Sequence, residues 1–217
     1  MAHLNPPDMD ELPELQAIFQ GAREAMGFVP NSMLTMAHMP QLPVAFSLLA
    51  NAILGGDLRK LVPTAPEPGD AEENLEPALA RLVAFACSLS AGCRYCQAHT
   101  SHSAHLLGAA EDKLSQLLNY ETSDLFSEPE RSALALAFAA ARVPNETTAA
   151  HFERLRAHYS ERQIVQLVGV ISLFGFLNRW NDTMATELEA APVAFAESAL
   201  GAGGWNAGKH APPSGRT

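Results

Sequence analysis

The spacing of apolar residues is the feature that most constrains the fold of this 217-residue chain. Apolar side chains recur every three or four residues through most of the sequence, and the strict alternation typical of half-buried strands is nearly absent. Such a period places the apolar side chains on one face of a helix, where they can be buried against neighbouring helices. The sequence therefore predicts an all-α protein.

Capping and breaking residues divide the chain into separate helices. We predict helices over Asp8–Met26, Pro40–Leu54, Glu76–Leu89, Cys93–Leu107, Glu111–Tyr120, Glu128–Arg142, Thr147–Tyr159, Glu161–Phe174 and Leu177–Ala190. Residues 201–217 are rich in Gly, Pro and Ser and show no apolar period. We therefore expect a single helical domain over residues 1–200, followed by a flexible tail over residues 201–217.

Charge excludes two classes of partner. The chain has 14 basic and 24 acidic residues, a formal net charge of −10, so it gains nothing from counterion release on DNA or RNA. Anionic membrane surfaces are disfavoured for the same reason. No apolar run approaches the ~20 residues that a spanning helix needs. We expect a cytoplasmic protein with no nucleic-acid or membrane partner.

The segment Gly92–His99 carries the residues most suited to chemistry, with Cys93 and Cys96 forming a Cys-x-x-Cys pair. At three-residue spacing the two cysteines and His99 form one slowly turning stripe on a helix. Unpaired N–H groups and the positive end of the dipole favour a thiolate at the helix start, where thiol pKa values fall from about 8.5 to roughly 3.5–7.5. His99 follows Cys96 by one turn and can exchange a proton with a thiol. The pattern predicts a thiol/disulfide cycle.

Metal binding is the main alternative reading of this segment. Cys93, Cys96, His99 and His102 are ligand types that zinc accepts. Four ligands on one continuous helix nevertheless drift around its surface, whereas structural zinc sites usually draw ligands from two segments. We therefore predict no metal site, and keep a redox- or metal-sensing module as the alternative function. Cys87 lies in an apolar run and is expected to behave as a small buried hydrophobe.

A faint internal repeat separates the chain into two halves. The apolar run Leu82–Phe85 leads to Gly92, and the run Leu167–Val170 leads to Gly175 about 84 residues later. The pattern predicts two related helical halves, a motif-bearing half over about 28–120 and a second half over about 128–190.

The polar cluster Asn178–Asp182 in the second half has two readings. It is either a capped helix start in which Trp180 packs, or one wall of the cysteine pocket. We expect a substrate pocket between the halves, lined by Tyr95, Phe174, Phe176 and Trp180.

The segment Gly92–Thr100, closed by Gly108, resembles the motif of the alkylhydroperoxidase D / carboxymuconolactone decarboxylase family, and 82–88 resembles the apolar helix that leads into it. The resemblance is strongest over Glu76–Gly108. It implies an all-helical, AhpD-like fold of two related halves and assembly as a homo-oligomer. It also implies an antioxidant peroxidase or disulfide-reductase activity that depends on a redox-active disulfide.

The resemblance also assigns roles to the motif residues. Redox-active members use a glutamate, two cysteines and a histidine as a proton relay. The family cysteines correspond to Cys93 and Cys96, which makes Cys96 the attacking and Cys93 the resolving residue. The family histidine often lies four residues after the second cysteine, where Thr100 stands here. His99 is one position earlier.

The relay glutamate of the family has no counterpart in this chain. Its position, twelve residues before the first cysteine, holds Arg81, whose guanidinium cannot accept a proton. We expect that Arg81 stabilises a thiolate by charge, or that a carboxylate of the second half such as Asp182 or Glu187 completes the relay.

The expected function is cysteine-dependent reduction of small organic hydroperoxides. No bound cofactor is required, because a lipoyl-type or thioredoxin-like dithiol would reduce the disulfide. A catalytically silent homologue is a further alternative. The decarboxylase activity in the family name fits less well, since it needs no cysteine pair.

Overall fold

The structure, a computed structural model, describes residues 2–8, 12–67 and 70–212. These ranges form helices and contain no strand, which confirms the all-α prediction. The α-helices are α1 Gln16–Met26, α2 Asn31–Met36, α3 Gln41–Leu54, α4 Pro77–Ala91, α5 Arg94–Leu106, α6 Glu111–Ser115, α7 Glu128–Ala140, α8 Ala149–Arg156, α9 Glu161–Met184 and α10 Ala190–Leu200. In this described part of the chain, every helix is too short or too polar to cross a membrane.

Helix α4 is the centre of the core and packs against α5, α7 and α9. Val83, Ala84, Ala86 and Cys87 are fully buried, and each large apolar side chain buried in this way contributes about 1.5–3 kcal/mol. Burial raises the pKa of Cys87 to about 12, so the thiol stays protonated. Its behaviour as a small hydrophobe is thereby confirmed.

The junction between α4 and α5 fixes the first cysteine at a helix start. Gly92 ends α4 with φ of 75°, a left-handed conformation that glycine adopts without steric cost. Cys93 follows with extended backbone and is the N-cap residue of α5. The predicted break at Gly92 therefore places the Cys93 sulfur beside the free N–H groups of the first turn of α5.

The predicted break at Gly175 is wrong, because α9 runs through it without interruption. A mid-helix glycine costs only about 1 kcal/mol relative to alanine, and burial of Leu173 and Phe174 beside it outweighs that cost. The helix ends at Ala185, which is left-handed with φ of 48°. The cluster Asn178–Asp182 therefore lies in the last turns of a long helix and not at a helix start.

The C-terminal segment differs from the expected flexible tail over residues 201–212. Trp205 and His210 are buried, with 7% and 1% of their surface exposed. The backbone N–H of Leu188 donates to the carbonyl of His210 at 2.9 Å. The apolar surface of the tryptophan explains why this Gly-rich segment packs on the domain. Residues 213–217 lie outside the described part of the chain.

Candidate active site

Both motif cysteines are buried free thiols, Cys93 with 0% and Cys96 with 2% of its surface exposed. The neighbouring Cys96 thiol has the largest effect on Cys93 and lowers its pKa. Backbone N–H groups of the first turn of α5 act in the same direction, while burial and the Asp182 carboxylate oppose them. The net pKa of Cys93 lies below its ordinary value, as expected for a thiol at a helix N-cap.

The second cysteine has the opposite electrostatics. Burial is the largest effect and raises the pKa of Cys96 well above its ordinary value, and the adjacent Cys93 adds to the rise. The Asn181 side-chain amide donates to the Cys96 sulfur at 3.5 Å and offsets a part of it. The pair therefore favours a thiolate at Cys93 with a protonated Cys96, whereas the resemblance made Cys96 the attacking residue.

A carboxylate and a histidine lie on the outer side of Cys93. The Cys93 sulfur, a carboxylate oxygen of Asp182 and a ring nitrogen of His210 all lie within 4.8 Å of one another. His210 Nδ1 is 2.7 Å from the carbonyl oxygen of Thr186, and Nε2 is 3.5 Å from Asp182 Oδ1. The Lys209 ammonium pairs with the other oxygen of Asp182 at 2.9 Å. The C-terminal segment thus brings two side chains to the cysteine site.

His99 is directed to a different carboxylate. Its Nε2 lies 2.6 Å from Glu189 Oε2, and both side chains are nearly buried. The Tyr95 hydroxyl donates to Glu189 Oε1 at 2.9 Å, and the backbone N–H of Asn31 donates to the same oxygen at 2.5 Å. Among the described residues, neither cysteine sulfur is a hydrogen-bond partner of His99.

The surroundings of Glu189 keep it ionised. Burial acts to raise its pKa, but the hydrogen bond and charge of His99, together with the Asn31 N–H, hold the pKa below its ordinary value. A second-half carboxylate therefore partners the motif histidine, but it is neither Asp182 nor Glu187, the two carboxylates considered for the relay. It is Glu189, whereas Glu187 accepts a hydrogen bond from the backbone N–H of Ala2 at 3.2 Å.

The other residues singled out in the sequence lie around this centre in different ways. Arg81 is partly buried, which lowers its pKa, and it has no ion pair or hydrogen bond within the described ranges. Tyr95 is buried and stacks on His99 with ring centroids 4.4 Å apart. Trp180 stacks on Phe176 at 6.0 Å. Of these, none contacts Cys93 through a hydrogen bond.

A groove of about 1070 Å³ leads from the surface to the cysteine end of α9. Its walls come from the C-terminal end of α7, from α8 and from the outer face of α9, and it reaches Ser90, Ala91, Asn178 and Asp182. Of the four aromatic residues predicted to line a substrate pocket, Phe176 lines this groove, whereas Tyr95, Phe174 and Trp180 lie outside it. Because Asp182 lines the groove and its carboxylate lies within 4.8 Å of the Cys93 sulfur, the groove ends close to Cys93, although neither cysteine is among its lining residues.

The ligand set considered for zinc does not converge. His99 is paired with Glu189, and His102 lies against Phe195 with ring centroids 5.4 Å apart. Cys93, Asp182 and His210 are also ligand types for a metal ion, but the Lys209 ammonium already neutralises that carboxylate.

Two functional candidates escaped the sequence analysis, Glu189 and His210. Glu189 is the N-cap of α10, a helix over Ala190–Leu200 that the sequence analysis did not predict. His210 lies in a segment whose composition predicts flexibility. The signal that could have found it is Trp205, because a large aromatic in a Gly-rich tail needs a surface to bury it.

The fold and the site define a class of protein: all-helical, with a buried Cys-x-x-Cys pair at a helix junction. The model of the carboxymuconolactone decarboxylase family matches residues 67–139. The debrominase Bmp8 is 34% identical over 91% of this chain and 97% of its own, with a TM-score of 0.76. Taken together, these matches show that the chain belongs to the carboxymuconolactone decarboxylase family.

Further comparisons agree with this assignment. A variant of Bmp8 that carries alanine in place of a cysteine has been solved in complex with 2,3,4-tribromopyrrole, with a TM-score of 0.77 and 33% identity to this chain over 92% of it and 98% of the variant. An alkylhydroperoxidase AhpD core protein from Ralstonia eutropha JMP134, a peroxidase-related protein, has a TM-score of 0.73 over 88% of this chain and 94% of its own. At 22% identity it shows the fold alone. The Escherichia coli (strain K12) protein YnjA is 31% identical over 51% of this chain, a match that spans 60% of YnjA.

Proposed function

We propose that the chain is a dithiol-dependent reductase, in which Cys93 and Cys96 supply two electrons to a small substrate and end as a disulfide. Its expected substrate is an organic hydroperoxide. The observation that carries the proposal is the position of two free thiols, Cys93 at the N-cap of α5 and Cys96 in the first turn of that helix. The pKa is lowered at Cys93 and raised at Cys96, which favours one nucleophile and one protonated resolving thiol.

The cycle balances without a resident cofactor. The Cys93 thiolate attacks the outer peroxide oxygen, the O–O bond breaks, and its electron pair leaves with the alkoxide, which takes up a proton to become an alcohol. Cys93 is then a sulfenic acid. Cys96 attacks this sulfur, the S–S bond forms, and the hydroxyl group leaves as water with the Cys96 proton. An external dithiol of lipoyl or thioredoxin type then reduces the disulfide by exchange.

Reductive dehalogenation of a small aromatic ring is a second candidate. It is favoured by the likeness to Bmp8, which extends over almost the whole chain at 33–34% identity, whereas the peroxidase-related neighbour supports the fold alone. The same dithiol supplies both electrons. The C–Br bond breaks, the ring carbon gains a proton, bromide leaves, and one disulfide and one further proton are produced.

A single set of assays tests both candidates. Cumene hydroperoxide and a polybrominated pyrrole are supplied separately with dithiothreitol, and alcohol or bromide is measured over many turnovers. Cys93→Ser and Cys96→Ser should each reduce turnover to background, while Cys87→Ala, which removes a thiol outside the pair, should retain it. Equal turnover in wild type and Cys93→Ser would contradict the proposal. Consumption of one equivalent without turnover would favour the redox-sensing alternative, and no consumption would favour a silent homologue.

The partners of this reductase are proposals of the same kind. We propose that it works in the cytoplasm as a homo-oligomer and receives its electrons from a lipoyl-type or thioredoxin-like dithiol. Exposed apolar side chains outside the groove, Leu106, Leu118 and Val165 among them, support assembly with another copy. Sedimentation of the purified protein tests the oligomer, and a monomer at micromolar concentration would contradict it.

A further inference from the structure

We propose that His210, carried by the C-terminal segment, exchanges the proton of Cys93 during the cycle, acting first as base and then as acid. The inference rests on the proposed dithiol reductase and deepens it. It assigns the proton step to a histidine outside the Cys-x-x-Cys helix, and leaves His99 as a positioning residue for the wall of the site.

The orientation of the His210 ring is fixed from one side. Nδ1 lies 2.7 Å from the carbonyl oxygen of Thr186, which can only accept, so Nδ1 carries the proton and Nε2 holds the lone pair. Thr186 is set by the left-handed turn at Ala185 that ends α9. The backbone of the domain thus selects the tautomer that a proton acceptor needs.

The second ring nitrogen has no full hydrogen bond. Nε2 is buried without a hydrogen-bond partner in the described part of the chain, although the whole side chain is 99% buried. Asp182 Oδ1 lies 3.5 Å from Nε2, and the Cys93 sulfur lies within 4.8 Å of a ring nitrogen of His210. A buried nitrogen without a hydrogen bond is costly, and a role in proton exchange with the nearby Cys93 thiol would account for its presence here. One water molecule spans such a distance in proton transfer.

Burial keeps the His210 ring neutral, and the charged groups around it act in opposite directions. Burial is the largest effect and lowers the pKa of His210, while the Thr186 carbonyl and Asp182 act to raise it and Lys209 acts to lower it. Tyr95 also faces the ring, with centroids 6.1 Å apart. A neutral imidazole can accept a proton at neutral pH, and the adjacent Asp182 carboxylate stabilises the imidazolium that results.

The proton balance of the cycle then closes within the site. His210 Nε2 takes the proton from the Cys93 thiol, which leaves a thiolate and an imidazolium. The thiolate attacks the outer peroxide oxygen, and the imidazolium returns its proton to the departing alkoxide. The alcohol leaves and His210 is neutral again. For a brominated ring, the imidazolium instead supplies the proton that the ring carbon gains.

The decisive variant is His210→Asn, because an asparagine amide nitrogen can take the place of Nδ1 and keep the hydrogen bond to Thr186. His102→Asn, on the outer part of α5, is the control. We expect turnover to fall at least about a hundredfold in His210→Asn and to stay within about twofold of wild type in His102→Asn. Tryptophan fluorescence checks that Trp205, and hence the C-terminal segment, stays docked.

Alkylation gives a readout that needs no substrate. Iodoacetamide labelling is followed against pH by mass spectrometry. Trypsin cleaves at Arg94 and so separates Cys93 from Cys96, and fragmentation of the peptide 82–94 distinguishes Cys93 from Cys87. Because His210 is neutral, its loss should leave the midpoint of Cys93 nearly unchanged. Labelling below that midpoint, where the thiolate forms by proton transfer to His210, should fall at least about threefold in His210→Asn and stay unchanged in His102→Asn. Undiminished labelling below the midpoint together with undiminished turnover would overturn the inference while leaving the reductase intact.

A measurement on the wild-type protein guards against a variant that fails to fold. The imidazole signal of His210 is titrated by NMR in the dithiol and in the disulfide form. Its midpoint should fall on oxidation, because the neighbouring thiolate is lost. Identical midpoints would overturn the inference. Absence of turnover with both substrates would contradict the proposed function alone, since the titration and alkylation results still decide the coupling.

Discussion

Two histidine–carboxylate pairs flank the cysteine helix, and they are built differently. His99 and Glu189 are 2.6 Å apart, with 11% and 12% of their side chains exposed. His210 and Asp182 are 3.5 Å apart, and Asp182 is 48% exposed. Glu189 also accepts hydrogen bonds from Tyr95 and from a backbone N–H, whereas His210 Nε2 has no hydrogen-bond partner in the described chain.

This difference indicates that the His99–Glu189 pair has a structural role and the His210–Asp182 pair a chemical role. A short, buried pair whose acceptors are satisfied holds α2, α5 and the start of α10 together, and any proton that leaves it breaks several hydrogen bonds. A loose pair beside a thiolate can gain and lose a proton at little cost. His99 of the motif therefore has a structural role. His210, which the sequence analysis placed in a flexible tail, is the histidine suited to proton exchange.

The largest expected effect comes from breaking the tight pair. Glu189→Ala leaves His99, Tyr95 and a backbone N–H without their acceptor, and removing one partner of a buried pair costs about 3–5 kcal/mol. Asp182→Ala should cost less than about 1 kcal/mol, because its ion pair with Lys209 is half exposed. Urea unfolding of both variants measures the difference. Equal losses would contradict the division between the pairs.

The pH dependence of stability sharpens this result. Although burial acts to raise it, His99 holds the pKa of Glu189 below its ordinary value of 4.5, so the carboxylate stabilises the fold above that pH. The contribution is lost as the pH falls through the lowered pKa of the folded state. The gap in unfolding free energy between wild type and Glu189→Gln should therefore narrow below about pH 4.5. Glu197→Gln, on the exposed side of α10, should show no such trend.

Removing the carboxylate charge of Asp182 should change the pKa of Cys93. The Asp182 carboxylate acts to raise the pKa of Cys93, so Asp182→Asn should lower it. We expect the alkylation midpoint of Cys93 to move to lower pH by up to about one unit, or ~1.4 kcal/mol. Asp112→Asn, on α6, is the control. A midpoint that moves to higher pH would show that Asp182 acts on Cys93 mainly through His210.

The smallest effects concern the backbone that presents the thiolate. Gly92→Ala meets no atom within 4 Å but forces alanine to a φ of 75°, which costs about 1–2 kcal/mol. Gly175→Ala also meets no atom, and it lies inside α9, where alanine is favoured by up to about 1 kcal/mol. Thermal unfolding should therefore shift in opposite directions for the two variants. Shifts of the same sign would contradict the assignment of Gly92 as the obligatory turn.

The sequence predicted the helices and turns of the molecule better than the contacts of its candidate site. Periodicity and glycine stops located α4, the turn at Gly92 and the cysteine at the start of α5, because each depends on local conformation. The pairing of His99 with Glu189 joins residues 90 apart, and no local pattern encodes such a contact. Gly175 was misread because burial outweighed its propensity. The segment that carries His210 was predicted to be flexible because its composition does not show that one large side chain, Trp205, can bury itself against the domain.

The most direct test of the account is a single-turnover experiment with disulfide mapping. Reduced protein is mixed with one equivalent of substrate, quenched in acid and digested with trypsin. The account predicts one disulfide per substrate consumed, linking the peptides 82–94 and 95–113 through Cys93 and Cys96. Consumption of substrate with both thiols still free would contradict it, because the electrons would then come from elsewhere.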